Sequence, residues 1–215
     1  MRIGTWNLAG KWDARYASLM RRQKCDVWLL TEVNEAVSFD GYAKHPTKAC
    51  MAPHRKWAAI LSREPLVGMC DPHPASALAR VGDWLFCSSV LPWKACGNRS
   101  PWVGHLLAEK TEATLNELLD KLPKDKLIWG GDWNHSLSGR EYVGSLIGRE
   151  HVLKTVDLLR LQVPTEKLPH RISTLLAIDH IAVPRIVSVI DKSRVEAVAD
   201  GERMSDHEAY VVEIG

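Results

Sequence analysis

Apolar and polar positions alternate along this chain with two different periods. Arg2 to Asn7 alternates in the manner of a half-buried strand and closes on Asn7, just ahead of an Ala9-Gly10 turn. Asp13 to Lys24 has helical spacing, with Tyr16, Leu19 and Met20 on one face. Arg21, Arg22 and Lys24 lie near its end, where cations suit the helix dipole. Asp26 to Thr31 is a continuous apolar strand that delivers Glu32. Phe39 to Lys44 and Lys56 to Ser62 predict two further strands, and Arg63 follows the second directly. The connection between them holds Lys44, Lys48, Arg55 and Lys56 with no acid, and reads as a solvated hairpin tip.

Farther on, Trp84 to Leu91 predicts a strand, and Pro92 to Pro101 a loop carrying Trp93, Lys94 and Arg99. Thr111 to Leu122 is an amphipathic helix with Leu115, Leu118, Leu119 and Leu122 on its core face. Leu127-Ile128-Trp129 reads as a buried strand, and Gly130-Gly131 as a tight turn at its end. Asp132 and Asn134 follow, two residues apart, so in extended backbone they share one face. His135 to Arg149 reads as a loop and Glu150 to Leu161 as a surface helix. Residues 175–183 form an apolar run interrupted by Asp179 and His180. A buried Asp there costs several kcal/mol unless paired, so it demands a partner. Ser205-Asp206-His207 precedes a last strand, Ala209 to Ile214.

With 215 residues, 46% hydrophobic and 25% charged, the chain suits one well-buried core, and we expect a single domain over 1–215. A net charge of +2 permits a polyanionic partner without demanding one. No apolar run approaches the roughly 18 to 20 residues that cross a bilayer. Met1 to Trp6 enters a strand pattern at once, which argues against a secretory leader. The five cysteines, Cys25, Cys50, Cys70, Cys87 and Cys96, contain no CxxC pair and read as reduced thiols of a cytoplasmic protein. The spacing of His45, Cys50, His54, Cys70 and His73 fits no common zinc finger or ribbon.

Asn7, Glu32, Asp132, Asn134, Asp179, Asp206 and His207 remain. All but Asn134 lie at or beside the end of an apolar strand, where a sheet gathers loops into a site. The blocks TWNL (5–8), LLTE (29–32), GDWN (131–134), IDHI (178–181) and SDH (205–207), with ILSREPL (60–66) as a weaker sixth, resemble the endonuclease/exonuclease/phosphatase superfamily. The resemblance covers nearly the whole chain. It implies an α/β fold, a two-layered β-sandwich flanked by helices in four α-β-β-α layers, with the site at one edge between the sheets.

Carried over by position, Glu32 binds a divalent cation, Mg²⁺ or Mn²⁺, with Asn7 holding the metal or its shell and Asp206 near a second metal position. Asp132 orients or deprotonates the attacking water, Asn134 holds a nonbridging oxygen, and His207 meets the phosphate while paired to Asp179. Arg63 is the counterpart of a phosphate-contacting arginine, and Trp133 is placed to touch substrate. The chemistry agrees with these roles. Water attacking a phosphodiester must lose a proton, and charge on the phosphoryl oxygens must be neutralised.

Two departures stand out: Thr31 replaces the family's Gln before the metal-binding Glu, and apolar Val90 and Leu91 stand where a His or Tyr is usual. His105, Lys94 and Arg99 are the candidates to stand in. Trp93, Trp102 and Trp133 fall near site loops where bases or a lipid tail stack. The leading expectation is a monomeric Mg²⁺-dependent nuclease acting on DNA. The alternatives are a phosphatase or phosphodiesterase of a small or lipid-linked phosphate, and a catalytically silent binding module.

Overall fold

The computed structural model describes all residues from Met1 to Gly215. In chain order the elements are β1 (Arg2–Asn7), α1 (Ala14–Gln23), β2 (Val27–Asn34), β3 (Ala43–Pro46), β4 (Cys50–Ala52) and β5 (Arg55–Ser62). Next come β6 (Leu66–Gly68), β7 (Ser76–Val81), β8 (Trp84–Val90), α2 (Leu107–Lys121), β9 (Leu127–Asp132) and α3 (Leu146–Leu158). The chain closes with β10 (Leu161–Gln162), β11 (Asp179–Pro184), β12 (Val189–Val195), β13 (Val198–Ala199), β14 (Glu202–Arg203) and β15 (Ala209–Ile214).

Two mixed sheets result. One runs β12-β15-β1-β2-β5-β3, with β4 also on β5; the other runs β10-β11-β9-β8-β7-β6. Strand periodicity explains how they stack. Ile3, Leu29 and Val212 from the first sheet pack against Phe86, Ile128 and Ile181 from the second, forming the inter-sheet core. Their neighbours in sequence point outward: Trp6, Trp28 and Val211 meet Tyr16, Leu19 and Met20 of α1. On the other side Trp129 and Ala182 meet Leu115 and Leu118 of α2 and Val152 of α3. This is the four-layer arrangement implied by the sequence blocks, and period-2 alternation is its cause.

Local signals account for most boundaries. Asp13 caps α1 by accepting from Arg15 N, and Lys24 closes it in a left-handed conformation. Helix α2 begins earlier than Thr111, because the Glu109 carboxylate accepts from the His105 and Leu106 amides. Helix α3 starts at Leu146, not Glu150, with Ser145 as its cap; Leu146 and Ile147 are exposed and so carried no core-facing signal. Strands β7 and β12 were not foreseen. The first, SALARV, is built largely of small residues, and the second, VIDKSRV, is a polar edge strand.

The glycine pair is a correction. Gly130 and Gly131 lie inside β9, paired with Ser88 and Ser89 on one side and with Ile181 and His180 on the other. A Cβ on Gly131 would sit 2.2 Å from Ser89 O, and one on Gly130 2.5 Å from His180 O. The glycines therefore let three strands close together rather than turn the chain.

Candidate active site

Strand parity carries the polar residues to one end of the inter-sheet gap. Ile3 and Asn7 share a face of β1, as do Ile128 and Asp132 on β9, and Asp179 and Ile181 on β11. Each strand is apolar in the middle of the sandwich and ends on an acid or amide. Asp132 and Asp179 are direct partners in the antiparallel β9–β11 register. Glu32 does not follow parity. It is the one residue of β2 outside the β2–β5 register, and a φ of 48° rotates its side chain to the same rim.

Hydrogen bonds join these groups. Asn7 Nδ2 donates to Glu32 Oε1 at 3.1 Å and to Asp132 Oδ2 at 2.9 Å. The other Asp132 oxygen accepts from Asn134 N at 3.1 Å. His207 Nδ1 donates to Asp179 Oδ2 at 2.7 Å, which leaves its Nε2 facing the rim, 3.9 Å from Asp132 Oδ2. The His207 loop is anchored by Ser205, whose Oγ donates to Asn7 O at 2.7 Å and accepts from His207 N at 3.1 Å. Asn134, at φ 53°, commits one amide hydrogen to Leu91 O.

The electrostatics follow from burial and pairing. Burial alone would neutralise the His207 imidazole, but the charges of Asp179 and Asp132 and the hydrogen bond to Asp179 outweigh it and raise its pKa to about 10. Burial lifts Asp132 to about 7, with the Asp179 charge adding to the rise, while His207 and the Asn7 hydrogen bond oppose it. Burial likewise raises Asp179. The arrangement is a cationic imidazole held between two buried carboxylates.

The cavity here, about 220 Å³, is lined by Glu32, Asp132, Asn134, Asp206 and His207, with Val90 and Trp93 as its apolar wall. Asn7 lies behind this lining and joins Glu32 to Asp132. Asp206 is exposed at the mouth. Val90 is the register partner of Asp132 on β8, so the position that is apolar in sequence does face the site. None of His105, Lys94 or Arg99 lines the cavity.

Two sequence-based assignments are corrected. Trp133 is fully buried, its ring 4.0 Å from Trp129 and 5.2 Å from His180, so it packs the core beneath the site and cannot touch substrate. The reason is parity: Trp133 points opposite to Asp132. Arg63 sits at the wrong end of the sheet. Its amide donates to Asp26 O, ahead of β2, and its guanidinium to Tyr42 Oη at 2.7 Å, whereas Glu32 lies toward the far end of β2.

The arginine at the site is Arg55, which the sequence placed in a solvated hairpin tip. Arg55 Nη1 donates to Glu32 Oε2 at 2.9 Å. Only the β2–β5 pairing reveals this, because Arg55 and Glu32 are far apart in sequence and no motif links them. Tyr142 was also missed. Its hydroxyl is buried without a partner, and burial, followed by the Asp179 and Asp132 charges, keeps it un-ionised.

Four carboxylates, Glu32, Asp132, Asp179 and Asp206, thus meet two cationic side chains, Arg55 and His207. Asp179 Oδ1 is buried with no hydrogen-bond partner. An excess of hard oxygen donors and negative charge suits a divalent cation. One group of possible ligand atoms, on Asp132, Asp179 and His207, lies within 4.8 Å, but His207 Nδ1 is already committed to Asp179.

A β-sandwich with an acid–histidine rim at one end of the inter-sheet gap defines a class of phosphoester hydrolases. Residues 4–207 match the Endonuclease/Exonuclease/phosphatase family, and the chain belongs to that family. The same fold is found in the endonuclease domain of TRAS1, a telomere-specific non-LTR retrotransposon, at 16% identity and a TM-score of 0.71, over 98% of this chain and 96% of that one. AP endonuclease LMAP from Leishmania major matches at 14% identity and 0.71, over 98% and 86%. The 3′ phosphatase NExo from Neisseria, bound to a product DNA hairpin, matches at 17% and 0.68, over 100% and 99%. A search of curated protein sequences finds no match. No helix is long and apolar enough to cross a membrane.

Proposed function

We propose that the protein is a divalent-metal-dependent phosphodiesterase that acts on nucleic acid. The observation that carries this reading is the line Asp179–His207–Asp132, joined through Asn7 to Glu32. Asp132 takes the proton of the attacking water; burial and the neighbouring Asp179 charge make it more basic than a free carboxylate. His207, cationic and aimed by Asp179, offers Nε2–H to a phosphoryl oxygen and neutralises charge as it develops there. Asn134 offers its remaining amide hydrogen to a second oxygen. Glu32 and Asp206 would hold the Mg²⁺ or Mn²⁺, with Asn7 fixing Glu32 from behind, and the ion when bound would supply Lewis-acid stabilisation of the phosphoryl group.

Nucleic acid is favoured by neighbours of the same fold, an endonuclease domain and a 3′ phosphatase bound to a product DNA hairpin. A second reading, removal of a terminal phosphate, is supported by the small cavity and by the near full-length match to a 3′ phosphatase. The test is hydrolysis of plasmid DNA, bis(p-nitrophenyl) phosphate and a 3′-phosphorylated oligonucleotide with Mg²⁺ or Mn²⁺, against EDTA and Asp132→Asn. Metal-dependent cleavage of the diesters supports the phosphodiesterase, and release of phosphate alone supports the phosphatase. No turnover of any substrate would leave a silent binding module.

A further inference from the structure

The apolar wall of the cavity is small and specific. Beside the acids and His207 it consists only of Val90 and the half-buried Trp93. Trp93 follows Pro92 in a loop, yet its ring is not free. It packs at 86° on Trp102, centroids 6.0 Å apart, and Trp102 in turn packs edge-on to Trp57 at 5.3 Å and stacks on His73 at 5.6 Å. Trp57 and Trp102 are buried, and Val90 belongs to the same cluster. The loop is also tied from outside: Lys94 N donates to Val143 O at 3.1 Å and Lys94 Nζ to Tyr142 O at 2.7 Å. A half-buried tryptophan whose ring packs on that cluster thus lines the cavity at the edge of the reacting centre.

We propose that Trp93 is a stacking platform for the nucleobase that flanks the scissile phosphate. The proposal rests on the phosphodiesterase reading and names its substrate class. A lipid tail needs an extended apolar groove, and here one aromatic ring and one valine stand among charged groups. A flat heterocycle joined to an anionic backbone fits that mixture. Base–aromatic stacking is tolerant of sequence, because every base has a π-face, so the platform sets position rather than base identity. It also gives the Val90 position a role: an apolar side chain there continues the wall on which Trp93 rests.

The experiment compares thymidine 5′-(p-nitrophenyl phosphate) with methyl p-nitrophenyl phosphate, diesters that share a leaving group and differ in the nucleoside. The native protein is expected to favour the thymidine ester by about 10- to 100-fold in kcat/KM. Trp93→Ala is expected to erase that preference through KM, and Trp93→Phe to retain most of it. An unchanged preference in Trp93→Ala overturns the proposal. If the native protein hydrolyses neither diester, the phosphodiesterase reading fails, and binding decides the stacking separately. Octathymidylate titrated in EDTA should quench intrinsic fluorescence in the native protein and not in Trp93→Phe. Quenching that persists in Trp93→Phe, no binding, or quenching by lysophosphatidylcholine micelles alone would overturn it.

Discussion

Asp132 and Asp179 stand directly opposite each other on paired strands, both buried, with His207 Nδ1 2.7 Å from one and Nε2 3.9 Å from the other. Like charges in cross-strand register repel, and burial adds a desolvation cost. The imidazolium between them offsets both. The site is therefore an expensive local arrangement held by the sandwich around it, as expected where function rather than stability selects the residues.

Replacing Asp132 separates those two demands. Asp132→Asn is expected to lower kcat on bis(p-nitrophenyl) phosphate by about 10² to 10⁴, the usual range for a lost general base. The melting temperature should stay equal or rise, because the amide removes a charge that burial disfavours. A variant of native activity would show that Asp132 is not the base.

Arg55 holds Glu32 Oε2 at 2.9 Å, so it opposes any cation that Glu32 attracts. Removing its charge in Arg55→Gln is expected to tighten Mg²⁺ binding by about threefold to tenfold, from an interaction on the order of 1 kcal/mol at these distances in a partly solvated setting. Isothermal titration with Mg²⁺ measures it. Weaker or equal Mg²⁺ affinity would mean that Arg55 supports the site instead.

Mild acidification is expected to withdraw the stability that His180 contributes, while Asp132, whose raised pKa near 7 lets the folded state take up a proton, acts in the opposite direction. His180 is fully buried, donating from Nε2 to His135 O and accepting at Nδ1 from Thr165 Oγ1, a pattern that needs the neutral ring. Burial depresses its pKa to about 4. A depressed folded pKa gives stability that is present above the unfolded value, near 6.5, and lost as pH falls toward 4, on the order of 3 kcal/mol for this group. Burial shifts His73, His135 and His170 the same way. His207 acts oppositely, contributing stability that is full below about 6.5 and lost as pH rises through about 10. Urea denaturation of the native protein and of His180→Asn at pH 7.5 and 5.0 isolates this group: the native protein should lose about 2 kcal/mol relative to the variant, and an equal change in both would show that His180 does not titrate this way.

The correction at Trp133 has its own measurement. As a fully buried ring against Trp129, it should cost about 3 to 5 kcal/mol of stability as Trp133→Ala. Trp133→Phe should recover much of that loss, as read by urea denaturation. A full-stability Trp133→Ala protein with altered KM would restore the substrate-binding role.

Much of this was legible in the chain. The apolar runs at Asp26–Thr31, Leu127–Trp129 and Ala209–Ile214 are strands, and the acids that follow or flank them are at the site, because a strand's period and its polar terminus are local properties. The Asp179–His207 pair was also foreseeable, since a carboxylate in an apolar run must find a partner. Strand β7 escaped because small residues carry little periodic signal, and the edge strand β12 because Ile190, Asp191 and Lys192 are exposed in succession, so no alternation marks it.

By itself, then, the sequence determined the family, the layered α/β architecture and which acids, amides and histidine converge, since ordered blocks and alternation are written along one dimension. Only the tertiary structure decided which cation and which aromatic ring join them. Arg55 reaches Glu32 and Arg63 does not because β5 runs antiparallel to β2. Trp93 lines the cavity and Trp133 does not because side chains alternate across β9 and the β8 exit loop folds back over the gap. Those choices depend on register and on pairing between distant segments, which no local pattern contains.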